Sequence, residues 1–248
     1  MNLAISSIRL GHITPIKNRK SFCSFNGGFD GDVFIKSKKG DDIGEVRNHL
    51  LENRNITELE KWILINNVKE DDCKANDDIR FYMNRGKFYE GLSTREFDRI
   101  FKKNIADTEF TVYRGTDLRD FGYNITNKES IDDFFEEGKV VIAPTYLSTS
   151  LNKEYSKKLA NKSSEKLLFK INIKPDVHAL YIDKLLTAEE KRQRSYRFDD
   201  EDEVFMDRLA MLKMKDKYQE DEYTIIELDA LGHEDSQKYM TDNNLKEL

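Results

Sequence analysis

Cysteine is scarce in this chain of 248 residues: Cys23 and Cys73 are the only two, with no Cys-x-x-Cys spacing and no paired histidines near them. This excludes a disulfide-stapled scaffold and a zinc site of ordinary ligand spacing, and it fits reduced thiols in a cytosolic protein. No stretch approaches the ~18 consecutive apolar residues that a membrane-crossing helix needs, so no membrane partner is expected. The opening Met1-Asn-Leu-Ala-Ile-Ser-Ser-Ile-Arg9 lacks a basic start and a continuous apolar core, so no signal peptide is expected either. The glycines of Asn26-Gly-Gly-Phe-Asp-Gly-Asp32 are not followed by Gly-Lys-Ser/Thr, and their acidic spacing is not that of a calcium loop. There is no internal repeat and no low-complexity segment.

What remains is a polar-surfaced globule, 38% hydrophobic and 35% charged, long enough for one large domain. Its net charge of −6 argues against a general nucleic-acid coat, though not against a local basic patch. Residues 1–43 read as an N-terminal arm with a hairpin at Val33–Lys36. From 44 to 107 the signals are helical. Thr57-Glu-Leu-Glu60 and Ser93-Thr-Arg-Glu96 are capping boxes. They open helices with Leu59, Trp62 and Ile63, then Phe97, Ile100 and Phe101, at core-facing spacing; a further helix is expected around Ile79–Met83. From 108 to 232 the period changes to two. Strands are expected at Phe110–Gly115 (breaking into a turn at the glycine), Lys139–Ala143, Tyr146–Ser150, Lys166–Ile173, Val177–Ile182, Val204–Met206, Met211–Met214 and Tyr223–Asp229. A helix over Asn152–Ala160, with Tyr155 and Leu159 on one face, interrupts them, and Thr187-Ala-Glu-Glu190 caps a short one. Residues 233–248 read as a polar, fraying tail. The fold class is α+β, a helical N-terminal part before a mainly antiparallel β half.

The chain is organised around Phe198-Asp-Asp-Glu201-Asp-Glu203-Val-Phe-Met206. In an extended strand residues i and i+2 share a face, so Glu201 and Glu203 should lie side by side. Two carboxylates so placed repel, which raises the pKa of at least one. Read alone, the acidic run is a solvated turn; Arg114 alone is a surface arginine, and Ser148 and Thr149 alone are strand filler.

Together, Tyr113-Arg114-Gly115, then Ser148-Thr149-Ser150, then Glu201-Asp-Glu203, each at a strand end and in this order, resemble the Arg / Ser-Thr-Ser / Glu-x-Glu signature of ADP-ribosyltransferases. The likeness is to the branch of bacterial and phage toxins and ecto-enzymes, and it covers roughly residues 75 to 230. It implies a β-sandwich core that binds NAD as co-substrate, without a metal, and a domain running from 44 to 232. Cleavage of the nicotinamide–ribose bond passes through an oxocarbenium-like state, which a carboxylate beside the ribose stabilises. The resemblance gives that role to Glu203 and makes Glu201 the group that orients or deprotonates the nucleophile. It makes Arg114 the phosphate grip, with Gly115, Ser148, Thr149 and Ser150 completing the NAD site: Ser148 holds the glutamate and Thr149 helps place the nicotinamide half. Residues 191–200 take the place of the substrate-recognition loop, where Phe198 stands as the presented aromatic.

A Glu-x-Glu pair resembles members that modify arginine, so a protein arginine is the first target expected. Arg194, Tyr196, Arg197 and Phe198 also suit single-stranded RNA or DNA, through stacking and phosphate contact, which stays open as an alternative. NAD hydrolysis without transfer and a catalytically silent binding module are the others. The expected setting is the cytoplasm of the producer or of a target cell, as a toxin or effector, with room for a neutralising antitoxin or immunity protein.

Overall fold

The computed structural model of the chain describes residues 43–69, 72, 73, 76, 79, 92–116, 129–163, 165–182, 185 and 202–243. Outside them lie the arm with its hairpin at Val33–Lys36, all but the first residue of the segment Ile79–Met83, the helix expected after Thr187, and the basic and aromatic stretch up to Glu201.

The helical part begins with α1 (Ile43–Glu52) and α2 (Glu58–Asn67). The capping box of α2 is present in both directions. The main-chain N–H of Thr57 donates to Glu60 Oε2 at 2.9 Å, and that of Glu60 donates to Thr57 Oγ1 at 3.3 Å. Glu60 is buried and also accepts from Lys103 Nζ at 2.7 Å. This fixes the rotation of the helix. With Glu60 inside, Leu64 one turn later and Ile65 are buried, while Leu59 and Trp62 are 68% and 61% exposed. The expected core face of α2 is therefore corrected in part: Ile63 packs against the core beside Leu64 and Ile65, but Leu59 and Trp62 face outward and Glu60 takes the inner position. A two-residue hairpin follows, β1 (Val68–Lys69) against β2 (Asp72–Cys73).

Helix α3 (Leu92–Phe101) starts one residue before Ser93, so the serine lies within it rather than ahead of it. Its apolar face is the expected one: Phe97, Ile100 and Phe101 are fully buried. The rings of Phe97 and Phe101 lie 5.2 and 5.3 Å from that of Tyr146, so the helical part packs on the segment leading into the Ser-Thr-Ser strand.

The β half has β3 (Phe110–Thr116), β4 (Val140–Ile142), β5 (Leu147–Ser150), β6 (Leu167–Ile173), β7 (Ala179–Tyr181), β8 (Glu203–Met206), β9 (Met211–Glu220) and β10 (Tyr223–Ala230). They form one sheet in the order β4-β9-β10-β6-β3-β5-β8-β7. Pairing is antiparallel except between β6 and β10, which run parallel. The sheet narrows at one place: β3 and β5 are joined by the pair Tyr113↔Ser150. The five strands on one side of this neck and the three on the other turn Val112, Phe169, Ile171, Leu147, Val204 and Met206 into one shared core. That is the sandwich-like arrangement of an α+β domain.

Three helices complete it. α4 (Glu129–Phe134) sends Ile131 and Phe134 into the shared core. α5 (Lys153–Ala160) is capped by Asn152, whose side chain accepts from the Tyr155 N–H. Its buried residues are Ser156 and Ala160, while Tyr155 and Leu159, expected on one face, are half-buried. The segment after Gly232, expected to fray, forms α6 (His233–Asp242). Its first N–H groups find acceptors on the Asp176 turn, the carbonyl for His233 at 3.3 Å and Oδ2 for Glu234 at 3.2 Å, and Met240 is buried.

Candidate active site

The neck of the sheet brings the sequence-distant motifs together. Tyr113↔Ser150 on one side and Ser150↔Glu203 on the other place β3, β5 and β8 side by side at the level of Arg114, Ser148 and Glu203. Ser148 and Ser150 share a face of β5, and Glu203, opposite Ser150, shares it with them. Ser148 Oγ donates a hydrogen bond to Glu203 Oε1. Arg114 Nη1 donates to the Ser148 carbonyl at 2.6 Å. One serine thus holds the carboxylate with its side chain and the guanidinium with its main chain.

The neighbours do different work. Thr149, on the opposite face, is buried and donates its hydroxyl to the Val204 carbonyl at 2.6 Å, tying β5 to β8. Ser150 is buried too; its Oγ accepts from the Asn152 N–H at 2.8 Å and so shapes the turn into α5. Gly115 does not break the strand, which continues through it to Thr116. A Cβ there would lie 2.0 Å from the Ser156 carbonyl oxygen and 2.4 Å from the Ala160 nitrogen, so glycine allows α5 to lie directly on β3. That contact also orients α5: its small residues meet the strand, and Ser156 Oγ donates to the Tyr113 carbonyl at 3.0 Å.

The residue between the two glutamates is the largest departure from the sequence reading. Asp202 has φ of +45°, left-handed rather than extended, and β8 begins only at Glu203. Period-two alternation through Asp202 needs an extended backbone, which this residue does not have. Glu201, Arg194, Tyr196, Arg197 and Phe198 lie outside the described residues. The Asp202 side chain is buried and engages Arg47 of α1 through both oxygens, with Nε to Oδ1 at 2.7 Å. Tyr181 Oη donates to the same Oδ1 at 2.9 Å. The hydrogen bonds that Arg47 donates to Asp202 raise the Arg47 pKa above its already high ordinary value. In the sequence Asp202 is one residue of an acidic run, and neither Arg47 nor Tyr181 belongs to a motif. A period-two reading hints that the central residue of Glu-x-Glu points inward, but nothing local identifies a partner 155 positions away.

His178, read from the sequence as structural, lies 3.4 Å from Asp207 through Nδ1. Among the described residues no group of three or more His, Cys, Asp or Glu side chains could hold a metal ion, and no helix is long and apolar enough to cross a membrane. A guanidinium for phosphate oxygens beside a carboxylate braced by a hydroxyl is a set that fits a dinucleotide.

The profile of the ADP-ribosyltransferase exoenzyme family matches residues 47–246. Among solved structures the fold is similar to that of C3stau2 from S. aureus with NAD (TM-score 0.60, 18% identity, 79% of this chain and 99% of that one). It is also similar to Plx2a, an ADP-ribosyltransferase toxin from Paenibacillus larvae (TM-score 0.58, 18% identity, 77% and 96%). A third similar structure is the Clostridium limosum C3 exoenzyme (TM-score 0.56, 17% identity, 81% and 98%). No curated protein matches the chain in sequence. Fold and family define an NAD-dependent ADP-ribosyltransferase, with NAD as its co-substrate. The chain belongs to the ADP-ribosyltransferase exoenzyme family, and the match runs from within α1 to beyond α6.

Proposed function

We propose that the protein is a mono-ADP-ribosylating toxin or effector that transfers ADP-ribose to an arginine side chain of a protein target, with Glu203 as its catalytic carboxylate. The observation that carries this reading is the Ser148 hydroxyl on Glu203, with Arg114 anchored on the same serine. A hydrogen bond to the ionised carboxylate fixes where its charge sits before reaction begins, so no reorganisation is needed when positive charge develops on the ribose. Arg114 supplies the cation for phosphate oxygens, and its bond to the Ser148 carbonyl sets its distance from Glu203. Ser148 acts through Glu203. Thr149 and Ser150 serve the site through the backbone they tie together. The arginine acceptor rests on the Glu-x-Glu residue pattern, with Glu201 orienting or deprotonating the incoming guanidinium.

The test uses NAD labelled in its adenylate part and host lysate split into protein and RNA fractions. Label should enter protein on arginine, found by mass spectrometry, and be lost with Glu203→Gln. Glu201→Gln should reduce transfer while nicotinamide release persists. Label in the RNA fraction would overturn the arginine acceptor, and unchanged turnover in Glu203→Gln would overturn the assignment of Glu203.

A further inference from the structure

We propose that Arg47 is a positioning residue for Glu203, acting from helix α1 through the buried carboxylate of Asp202. The proposal rests on the reading of Glu203 as the catalytic carboxylate.

Asp202 immediately precedes Glu203 and holds a left-handed backbone that residues with a side chain rarely adopt. Such a conformation persists only where the surroundings over-determine it, and here they do. The Asp202 carbonyl accepts from the Leu151 N–H at 3.0 Å, at the end of the Ser-Thr-Ser strand. The Glu203 carbonyl accepts from the Ile182 N–H at 2.9 Å. Both carboxylate oxygens of Asp202 are engaged by Arg47, and one also by Tyr181. The main chain is thus bound toward β5 and toward β7, while the side chain is drawn in the direction of α1.

The consequence is leverage. Rotation about the Asp202 backbone swings the Cα–Cβ direction of Glu203, and with it the carboxylate that meets Ser148 Oγ. The bidentate fork of Arg47 opposes that rotation in a way a single hydrogen bond would not, because two parallel bonds fix orientation as well as distance. The base of the lever is firm. Val46, Leu50 and Leu51 of α1 pack against the shared core, His49 Nε2 lies 2.7 Å from Asp107, and Arg54 donates to the Tyr181 carbonyl at 3.4 Å. Removing Arg47 leaves a buried carboxylate without its cation beside a strained residue. The segment then relaxes, and Glu203 moves off its serine.

The experiment measures steady-state nicotinamide release by the full chain, with each variant held below its own unfolding transition as followed by circular dichroism. Arg47→Gln should lower kcat by about a hundredfold, the effect of misplacing a reacting group by roughly 1 Å, with the KM for NAD changed less than about threefold. Arg47→Lys keeps the charge without the fork and should recover only part of the loss, and it serves if Arg47→Gln does not fold. Asp202→Asn should match Arg47→Gln. The double variant should lose no more than the worse single one, since both act through one contact. A kcat within about threefold of the parent in folded Arg47→Lys and Asp202→Asn would overturn the proposal, as would losses that multiply in the double variant. Glu203→Gln in parallel separates the two failures. If it is inactive while the Arg47 variants are normal, the positioning role alone falls; if it is active, the reading of Glu203 falls first.

Discussion

Arg208 and Asp98 grip each other through two hydrogen bonds, Nε to Oδ1 at 2.8 Å and Nη2 to Oδ2 at 2.5 Å, and so tie the segment after β8 to helix α3. Tyr146 Oη joins them, donating to Asp98 Oδ1 at 2.5 Å, and burial, with the charges of Asp98 and Asp207 beside it, pushes its own pKa far up. Together with the ring cluster of Phe97, Phe101 and Tyr146, this pair holds the helical part against the β half.

Truncating that contact should weaken the docking of the helical part. Arg208→Met is expected to cost about 2–3 kcal/mol, less than for a fully buried pair because Asp98 is partly exposed. Tyr146→Phe should cost about 1–2 kcal/mol, since it removes one hydroxyl and keeps the ring. Urea denaturation of both variants measures the difference; equal midpoints for Arg208→Met and parent would show the pair to be dispensable.

Gly115→Ala should be far more damaging than the loss of one glycine suggests. The added methyl meets the main-chain oxygen of Ser156 and nitrogen of Ala160, and neither can move without shifting α5. A loss of about 3 kcal/mol or more is expected. Gly138→Ala is the comparison, where φ of +81° strains the backbone but no atom stands in the way, and about 1 kcal/mol is expected. Thermal melts rank the two, and the reverse order would refute the close-approach argument.

Ser148→Ala separates holding from binding. With the hydroxyl gone, Glu203 loses the donor that fixes it, and kcat for nicotinamide release should fall roughly a hundredfold. The main-chain bond to Arg114 survives the substitution, so the KM for NAD should stay near the parent value. A large rise in KM with kcat intact would assign Ser148 to binding instead.

Acid should destabilise the outer face of β6 and β10 at a definable pH. Burial alone would raise the Glu227 pKa, but hydrogen bonds from Lys170 and Asn172, with the Lys170 charge, bring it from the ordinary 4.5 down to about 2. A carboxylate depressed on folding contributes stability above its unfolded pKa and loses it as the pH falls toward the folded value. The loss should therefore run from about pH 4.5 to about pH 2 and amount to on the order of 1–2 kcal/mol after solvent screening. Glu227→Gln should flatten that part of the stability–pH curve. An unchanged slope would place the acid sensitivity elsewhere.

Much of this protein was legible in local chemistry. The strand at Phe110 and those at Lys139, Tyr146 and Lys166 follow from β-branched and aromatic runs, and the Thr57 cap and the Asn152 helix from side chains that satisfy N–H groups a few residues away. The order Arg114, Ser148, Glu203 marks three residues that the fold brings into contact, because each carries chemistry that its motif states on its face. The sequence could not show which side of a helix meets the core when a glutamate turns inward toward a lysine of another element, as Glu60 does toward Lys103. Nor could it show that Gly115 serves a helix rather than a turn. Asp202 is the sharpest instance: alternation alone makes it a spacer, whereas the fold makes it a left-handed, buried anchor on Arg47. Bonds within a few residues are encoded where they act. Those between α1 and β8, or across the single pair that joins β3 to β5, exist only once the chain has closed on itself, and the geometry of this site depends on them.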